Sequence, residues 1–507
     1  LAGKYFYQFP IPNHQSPVTN HQSPITNYQS PVTNHQSPIT NYQLPITKKM
    51  KKFRLFIPLI IALLAVLSFA PTALAFCGFY VAKADTKLYN QASQVVIARD
   101  GNKTVLTMAN DFQGDVKDFA VVVPVPTVIK EEQVRVAQPN IIERLDAFSA
   151  PRLVEYFDED PCSPQIRPRS MLAPTAAARG GSSEEKTMAD NSLGVTVEAR
   201  FNVGEYDILI LSAKESNGLE TWLNRNGYKI PRGANQLLKP YIRSSMKFFV
   251  AKVNLDKFEE SGYQFLRPLQ IAYESPKFML PIRLGMINAN TEQDLIVYIL
   301  SPQGQAEVTN YRTVKIPSNM NIPVFVKNEF GDFYKSMFQT SYTKEDKKVA
   351  FLEYAWDMGN CDPCSAQPLN TEELKQAGVF WLDNNGNNNN RIAPGFGFPF
   401  SNNNVYITRL HVRYTRNKFP EDLMFQTTSN RESFQGRYVL QHPFTGNLQC
   451  SAGREYKRSL PRRFEKEAQT LAQLTNWKIQ DIRQKMRISV GNITNSWWES
   501  FLMFLGL

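Results

Sequence analysis

The sequence predicts an α+β fold of largely antiparallel β-sheets, with several short helices and an amphipathic C-terminal helix. Three observations predict it. Short runs with strand alternation or β-branched bias recur from Gln94 to Leu440, the pattern of half-buried strands. Long crossover helices between them are scarce, whereas a doubly wound parallel sheet needs one per crossover. Pro461–Leu474 then sets Phe464, Ala468, Leu471 and Leu474 at helical spacing, an apolar stripe for a core.

Taken in order, Gln94–Arg99 and Lys103–Asn110 are β-rich runs joined by Asp100-Gly101-Asn102, a hairpin signal. Phe119–Val123 reads as a buried strand stopped by Pro124 and Pro126. Asn140 is placed to cap a helix burying Ile141, Ile142, Leu145 and Phe148. Ser149 is placed to cap a second, with Pro151 in its first turn and Leu153, Val154, Tyr156 and Phe157 to bury. Residues 165–192, rich in Pro, Ala, Gly, Ser and Glu, read as a flexible loop. That loop divides an N-terminal α+β region, 76–164, from a main α+β region, 193–474. Length alone allows two or three domains.

In the main region Val195, Val197, Ala199 and Phe201 alternate, and Tyr206–Leu211 is the expected partner strand across Asn202–Glu205. Gly218–Asn226 reads as a helix carrying Leu219, Trp222 and Leu223, closed by Gly227 and Pro231. Strands follow at Phe248–Val253, Leu269–Tyr273, Leu280–Leu284 and Asp294–Leu300. Phe330–Met337 is read as helix and Val349–Ala355 as strand. Asn370 and Glu373 have capping-box spacing, with Gly378 ending that helix. Asp383–Asn404, rich in Asn and Gly, is a loop. Val405–Tyr414 is a strand with Tyr406, Thr408, Leu410, Val412 and Tyr414 on one face and Ile407, Arg409, His411 and Arg413 on the other. Gly436–Leu440 is a further strand. Pro461 is expected as the first residue of the last helix, and 475–507 is left as a tail.

Compartment is the sharpest message. Met50-Lys-Lys-Phe-Arg54, the apolar Leu55–Ala70 and the Ala73-Leu-Ala75 end form the three parts of a secretory signal peptide, residues 50–75. Before it lie five Pro-containing heptads between Asn13 and Thr47. Each has a Pro and, but for Leu44 and Ile46 in the fifth, a single aliphatic residue, so they are a low-complexity polar tract and no coiled coil. Three of the five histidines, His14, His21 and His35, fall there. With Leu at position 1, residues 1–49 are expected to be untranslated and Met50 the start. The rival expectation is a real extension that makes Leu55–Ala70 an uncleaved anchor, although the run is short of the ~20 residues of a comfortable span.

Composition bounds the rest. With 42% hydrophobic residues the chain can bury a core. Six of the cations lie in residues 1–75, which hold no acid, so the net charge falls from +11 to +5 on the mature chain. That charge gives no case for nucleic acid, which calls for a concentrated basic face. The five cysteines, Cys77, Cys162, Cys361, Cys364 and Cys450, all follow the cleavage site, and an exported chain meets an oxidising compartment. They are disulfide candidates whose pairing spacing does not settle. Lipidation of Cys77 would require cleavage after the bulky Phe76.

Each candidate for chemistry has a plain rival reading. Cys361-Asp-Pro-Cys364 has redox-dithiol spacing, but the next helix signal comes only near Asn370, so a structural disulfide role is the expectation. A zinc site there would need two more ligands. Ser244-Ser-Met-Lys247 and Ser341-Tyr-Thr-Lys344 match Ser-x-x-Lys at chance frequency, and the further motifs of that chemistry are missing. Asp158-Glu-Asp160 offers a cation turn or an exposed acidic turn. Arg409, His411 and Arg413 offer an anion-binding face or a solvated sheet face. Neither a phosphate-cradling loop nor a cofactor motif occurs, so no cofactor is expected. Trp497, Trp498 and Phe501 in the tail suit weak membrane-surface contact or a core segment.

Phe76-Cys-Gly-Phe-Tyr-Val81, Phe119–Pro126, Glu205-Tyr206-Asp207 with Leu211-Ser-Ala213, Trp222-Leu223 with Asn226-Gly-Tyr228, Pro281–Leu284, Gln293-Asp-Leu295 with Tyr298, the Cys361–Cys364 loop and Thr408–Tyr414 occur in that order. Together they resemble an exported bacterial family known as domain of unknown function 2330, over most of Phe76–Leu474. The heptads, the Asn-rich loop and the Trp-Trp tail lie outside the likeness. The resemblance implies export and brings no catalytic residue with it. The expected function is that of a non-enzymatic binding or scaffolding module of the cell envelope, in the periplasm or outside the cell, with envelope components or another exported protein as partner. The alternative is an exported hydrolase acting on a cell-wall or polysaccharide substrate. A pocket with converging acids would favour the enzyme; a flat apolar or basic face would favour binding.

Overall fold

A computed structural model describes residues 79–82, 89–90, 93–109, 112–113, 119–163, 195–226, 234–263, 266–287, 292–360, 362, 366–382 and 404–491. All belong to one unit, 71–507. The expected loops at 165–192 and 383–403, the caps Gly227 and Pro231, the heptads and the signal segment lie outside the described residues.

The fold is α+β, built as four layers around two β-sheets. The larger sheet has nine strands. Eight run in the order Arg312–Lys315, Val349–Asp357, Tyr406–Tyr414, Gln293–Ser301, Ser93–Asp100, Lys103–Ala109, Leu269–Glu274, Val134–Val136, and Phe434–Gln435 pairs with the second. Six of its pairings are antiparallel; Ser93–Asp100 with Gln293–Ser301 and Arg312–Lys315 with Val349–Asp357 are parallel. The smaller sheet is antiparallel, in the order Phe79–Ala82, Phe119–Val125, Lys247–Val253, Tyr206–Ala213, Val195–Val203. The sheets pack face to face over one core, where Val121, Val123, Ile208 and Phe249 meet Ile97, Leu106, Ile271 and Val297. Beyond the small sheet, helices Ser216–Arg225 and Ala234–Arg243 cover Val122, Leu211 and Val250. Beyond the large sheet lie helices Asn140–Ser149 and Thr371–Gln376 at one end. Phe330–Lys344, Ser451–Thr475 and Ile479–Gly491 cover the other end. Strands from before and after 165–192 share the large sheet, so the length prior of two or three domains gives way to one interleaved unit.

Local signals account for much of this. The Asp100–Lys103 hairpin forms, with Gly101 at φ +56°, a conformation glycine enters without penalty. Asn370 Oδ1 accepts from the Glu373 N–H at 2.9 Å while Glu373 accepts from the Asn370 N–H at 2.9 Å, and Gly378 at φ +99° follows. Val195–Val203 pairs with Tyr206–Ala213 as expected.

Several expectations are corrected. Pro124 does not stop its strand, which runs to Val125 paired with Lys247. The Phe79–Ala82 partner ends at Val122, so at Pro124 the strand is an edge on that side, where a ladder tolerates a missing N–H. Asn140 is the first helical residue rather than the cap. Ser149 caps nothing: its Oγ donates to Leu145 O at 2.6 Å, and Arg152–Phe157 is a strand parallel to Arg437–His442. A partner strand far along the chain, with Arg437 opposite Arg152, overrode the local helix pattern. Of the expected Leu280–Leu284 run only Leu280 is strand, in Met279–Leu280; Leu284–Ile287 is a 3-10 turn. Pro461 lies inside the 25-residue helix Ser451–Thr475. An interior Pro costs about 3 kcal/mol, which the buried face of Leu460, Phe464, Ala468, Leu471 and Leu474 offsets. The tail in turn includes the helix Ile479–Gly491.

Candidate functional site

The alternation of Tyr406–Tyr414 puts Arg409, His411 and Arg413 on one face of the large sheet, as the sequence suggests. That face is not solvated, because helix Phe330–Lys344 lies over it. Arg409 and His411 are 6% and 8% exposed. Arg409 donates from Nε to Glu353 Oε2 and from NH1 to Asp146 Oδ1, both at 2.6 Å. His411 Nδ1 lies 2.8 Å from Glu353 Oε1 and its Nε2 3.0 Å from Asp294 Oδ1. Arg413 grips both oxygens of Asp294 at 2.8 Å and donates to Gln339 Oε1. Phe338 stacks on His411 with 3.9 Å between centroids. Three cations thus meet three carboxylates inside the fold.

The backbone explains how Glu353 reaches the network. The register shifts between Leu352 and Tyr354, so Glu353 is the extra residue of a β-bulge, a device that re-aims a side chain. Asp294 stands directly across from Arg413 in the ladder. Burial opposes the charge of Glu353, but the charges of His411 and Arg409 outweigh it and hold the carboxyl at about 2. Burial likewise opposes protonation of His411, and Glu353 and Asp294 outweigh it, raising the imidazole above its ordinary value. A histidine with a carboxylate on each nitrogen holds its proton and is a poor general base. Chemically the cluster is a clamp among five elements.

The remaining candidates separate. Cys162 and Cys450 form a disulfide across 288 residues; Cys77, Cys361 and Cys364 lie outside the described residues. Asp158 is no exposed acidic turn: it accepts from Arg463, Gln441 and Tyr456. Ser341 donates to Met337 Sδ, while Lys344 donates to Gln473 O, so that Ser-x-x-Lys pair does not meet. Among the described residues no group of His, Cys, Asp and Glu is arranged to hold a metal ion. None of their helices is long and apolar enough to cross a membrane; Leu55–Ala70, Trp497, Trp498 and Phe501 are outside them.

Sequence reasoning missed a cavity of about 180 Å³ at the rim between the sheets. Leu106 and Tyr273 come from the large sheet, Pro124 and Pro126 from the end of the small-sheet strand. Ser244 and Met246 follow a helix, and the segment 275–281 closes the site with Ser275, Lys277 and Met279. The sequence carries one signal near it, an arginine in the apolar run Val95-Val-Ile-Ala-Arg99, which bonds the lining residue Ser275. Its significance depends on strand register.

A family model described as an uncharacterized protein conserved in bacteria, DUF2330, matches residues 71–426. The match includes Cys162 and the cavity and stops before Cys450 and its helix. No curated protein and no solved structure matches the chain.

Proposed function

This chain belongs to the bacterial family DUF2330, and from that premise we propose that it is an exported cell-envelope protein that binds a ligand without transforming it. The observation carrying this reading is the cavity lining, which among the described residues is apolar side chains, prolines, two serines, a tyrosine and a lysine, with no carboxylate. Hydrolysis of a glycosidic bond calls for two converging carboxyl groups, and the acids of the Arg409 cluster are spent on internal cations. Export is supported by the tripartite Met50–Phe76 segment and by the Cys162–Cys450 cross-link, a bond that persists in oxidising compartments.

Two measurements test the reading. Intact mass of protein taken from its native envelope, with free thiols alkylated and with or without reduction, should show a chain beginning at Phe76. A chain retaining residues before Met50 would overturn the export route. Incubation with chromogenic esters and glycosides should give no turnover above the blank. Turnover would install the hydrolase reading in its place.

A further inference from the structure

Arg99, Thr104 and Tyr273 form one row across three adjacent strands, since Arg99 pairs with Thr104 and Thr104 with Tyr273. The next row on the same face is Ile97, Leu106 and Ile271, and that face packs into the core between the sheets. Leu106 and Tyr273 also line the cavity. Register therefore delivers Arg99 to the cavity's own face.

Arg99 is 6% exposed. Its guanidinium donates to Thr104 Oγ1 at 2.7 Å and to the carbonyl of the lining residue Ser275 at 3.0 Å, and it lies 4.7 Å from the Phe278 ring centroid. Donors of the fork remain to spare, and no carboxylate among the described residues pairs with it. Arg409, equally buried, has two. A buried cation without a counter-charge is costly, and burial pulls the Arg99 guanidinium below its ordinary value. Tyr273 is 8% exposed and its hydroxyl has no hydrogen-bond partner among the described residues. Burial pushes that phenol up to about 12, so it stays a neutral donor. Lys277, exposed at the rim, adds a second positive charge with no ion pair among the described residues. Tyr273 and Lys277 line this small space, and Arg99 stands beside it, bonded to the lining residue Ser275.

We propose that this cavity binds a small organic monoanion, with a carboxylate received by Arg99, Tyr273 and Lys277 and a compact apolar body lying against Leu106, Met246 and Met279. The proposal rests on the binding reading above and names the ligand class. A cavity of about 150 Å³ holds a benzene, so the body is of the size of one six-membered ring. An aromatic acid and a short alkanoic acid share this chemistry.

The test is calorimetric titration of the full chain with benzoate, cyclohexanecarboxylate and hexanoate, each against its matching alcohol. Each acid that fits should bind about tenfold or more tighter than its alcohol, as a charge-assisted contact implies, and the ranking of the three bodies tells ring from chain. Tyr273→Phe deletes an unpartnered hydroxyl without disturbing packing; it should weaken the acid several-fold and leave the alcohol unchanged. Arg99→Met should erase the preference for the acid. If that variant does not fold, Tyr273→Phe and Lys277→Gln carry the test. Alcohol binding as tight as acid, or no binding of either, overturns the proposal. In the first of these cases the binding reading survives while the anionic class falls; consumption of a probe would instead sink the binding reading.

Discussion

Glu353 Oε1 lies 2.8 Å from His411 Nδ1, and the same carboxylate takes a second bond from Arg409 Nε at 2.6 Å. With 1% exposure, Glu353 is the anion on which two buried cations depend. Removing one partner of a buried ion pair strands the other at a cost of about 3–5 kcal/mol. Glu353→Gln should therefore lower the unfolding free energy by that order, read as a fall in the urea midpoint with little change in m-value. An unchanged midpoint would show that the cations find other partners.

The pH dependence of stability has two sides. Glu353 is held at about 2 against an ordinary 4.5. Its contribution is present above about pH 4.5 and is lost as the pH falls through about 2. His411 is raised above 6.5, so its contribution is complete below that pH and is lost as the pH rises through the raised value. Thermal melts should show a maximum at mildly acidic pH, and His411→Gln should remove part of the alkaline decline.

Glu467 works in the opposite sense from Glu353. Burial pushes its carboxyl from 4.5 to about 7, with Arg463 opposing and Asp158 adding to the rise; Oε1 has no hydrogen-bond partner, and Arg463 Nε stands 3.5 Å away. Folding disfavours the charged form, so its penalty grows from about pH 4.5 to about 7 and is complete above. Glu467→Gln should stabilise by up to about 3 kcal/mol at pH 8 and change little at pH 4. Equal effects at both pH values would contradict the assignment.

Cys450 is both a disulfide partner and the cap of helix Ser451–Thr475, its Sγ accepting from the Gly453 N–H at 3.1 Å. Replacing Cys162 and Cys450 by Ser should cost about 2–5 kcal/mol, with the same melting temperature reached by reducing the native protein. Recovery of both thiols alkylated from unreduced material would show the bond absent.

Gly378 combines two constraints. Its φ is +99°, and an added Cβ would sit 2.6 Å from Val105 Cγ1. At Gly101, φ +56°, the same atom would meet nothing within 4 Å. Gly378→Ala should thus destabilise well beyond the roughly 1 kcal/mol of a left-handed site, and Gly101→Ala by about that alone. Comparable losses would mean that the Val105 side chain simply moves aside.

By itself the sequence determined what few-residue physics encodes. The hairpin at Gly101, the capping box of Asn370 and Glu373, the apolar faces of Asn140–Ser149 and of Pro461–Leu474, and the two faces of Tyr406–Tyr414 were all legible. Each follows from hydrogen bonds or side-chain periods spanning a turn or two. The family likeness was legible as well, as an ordered set of short motifs.

Only the tertiary structure decided which distant residues meet. Arg152–Phe157 became a strand because Arg437–His442 lies beside it, against a helical local pattern. Two cysteines paired because the packing of a strand end against a helix N-terminus brought them together. Arg409, His411 and Arg413 turned from a surface stripe into a clamp because Glu353, on a bulge, and Asp146 and Asp294 converge on them. Arg99 and Tyr273 share a face through a register set by Lys103–Ala109 between them. Periodicity says which side of a strand a residue occupies; what stands opposite is set by long-range pairing, whose determinants are spread over the whole chain.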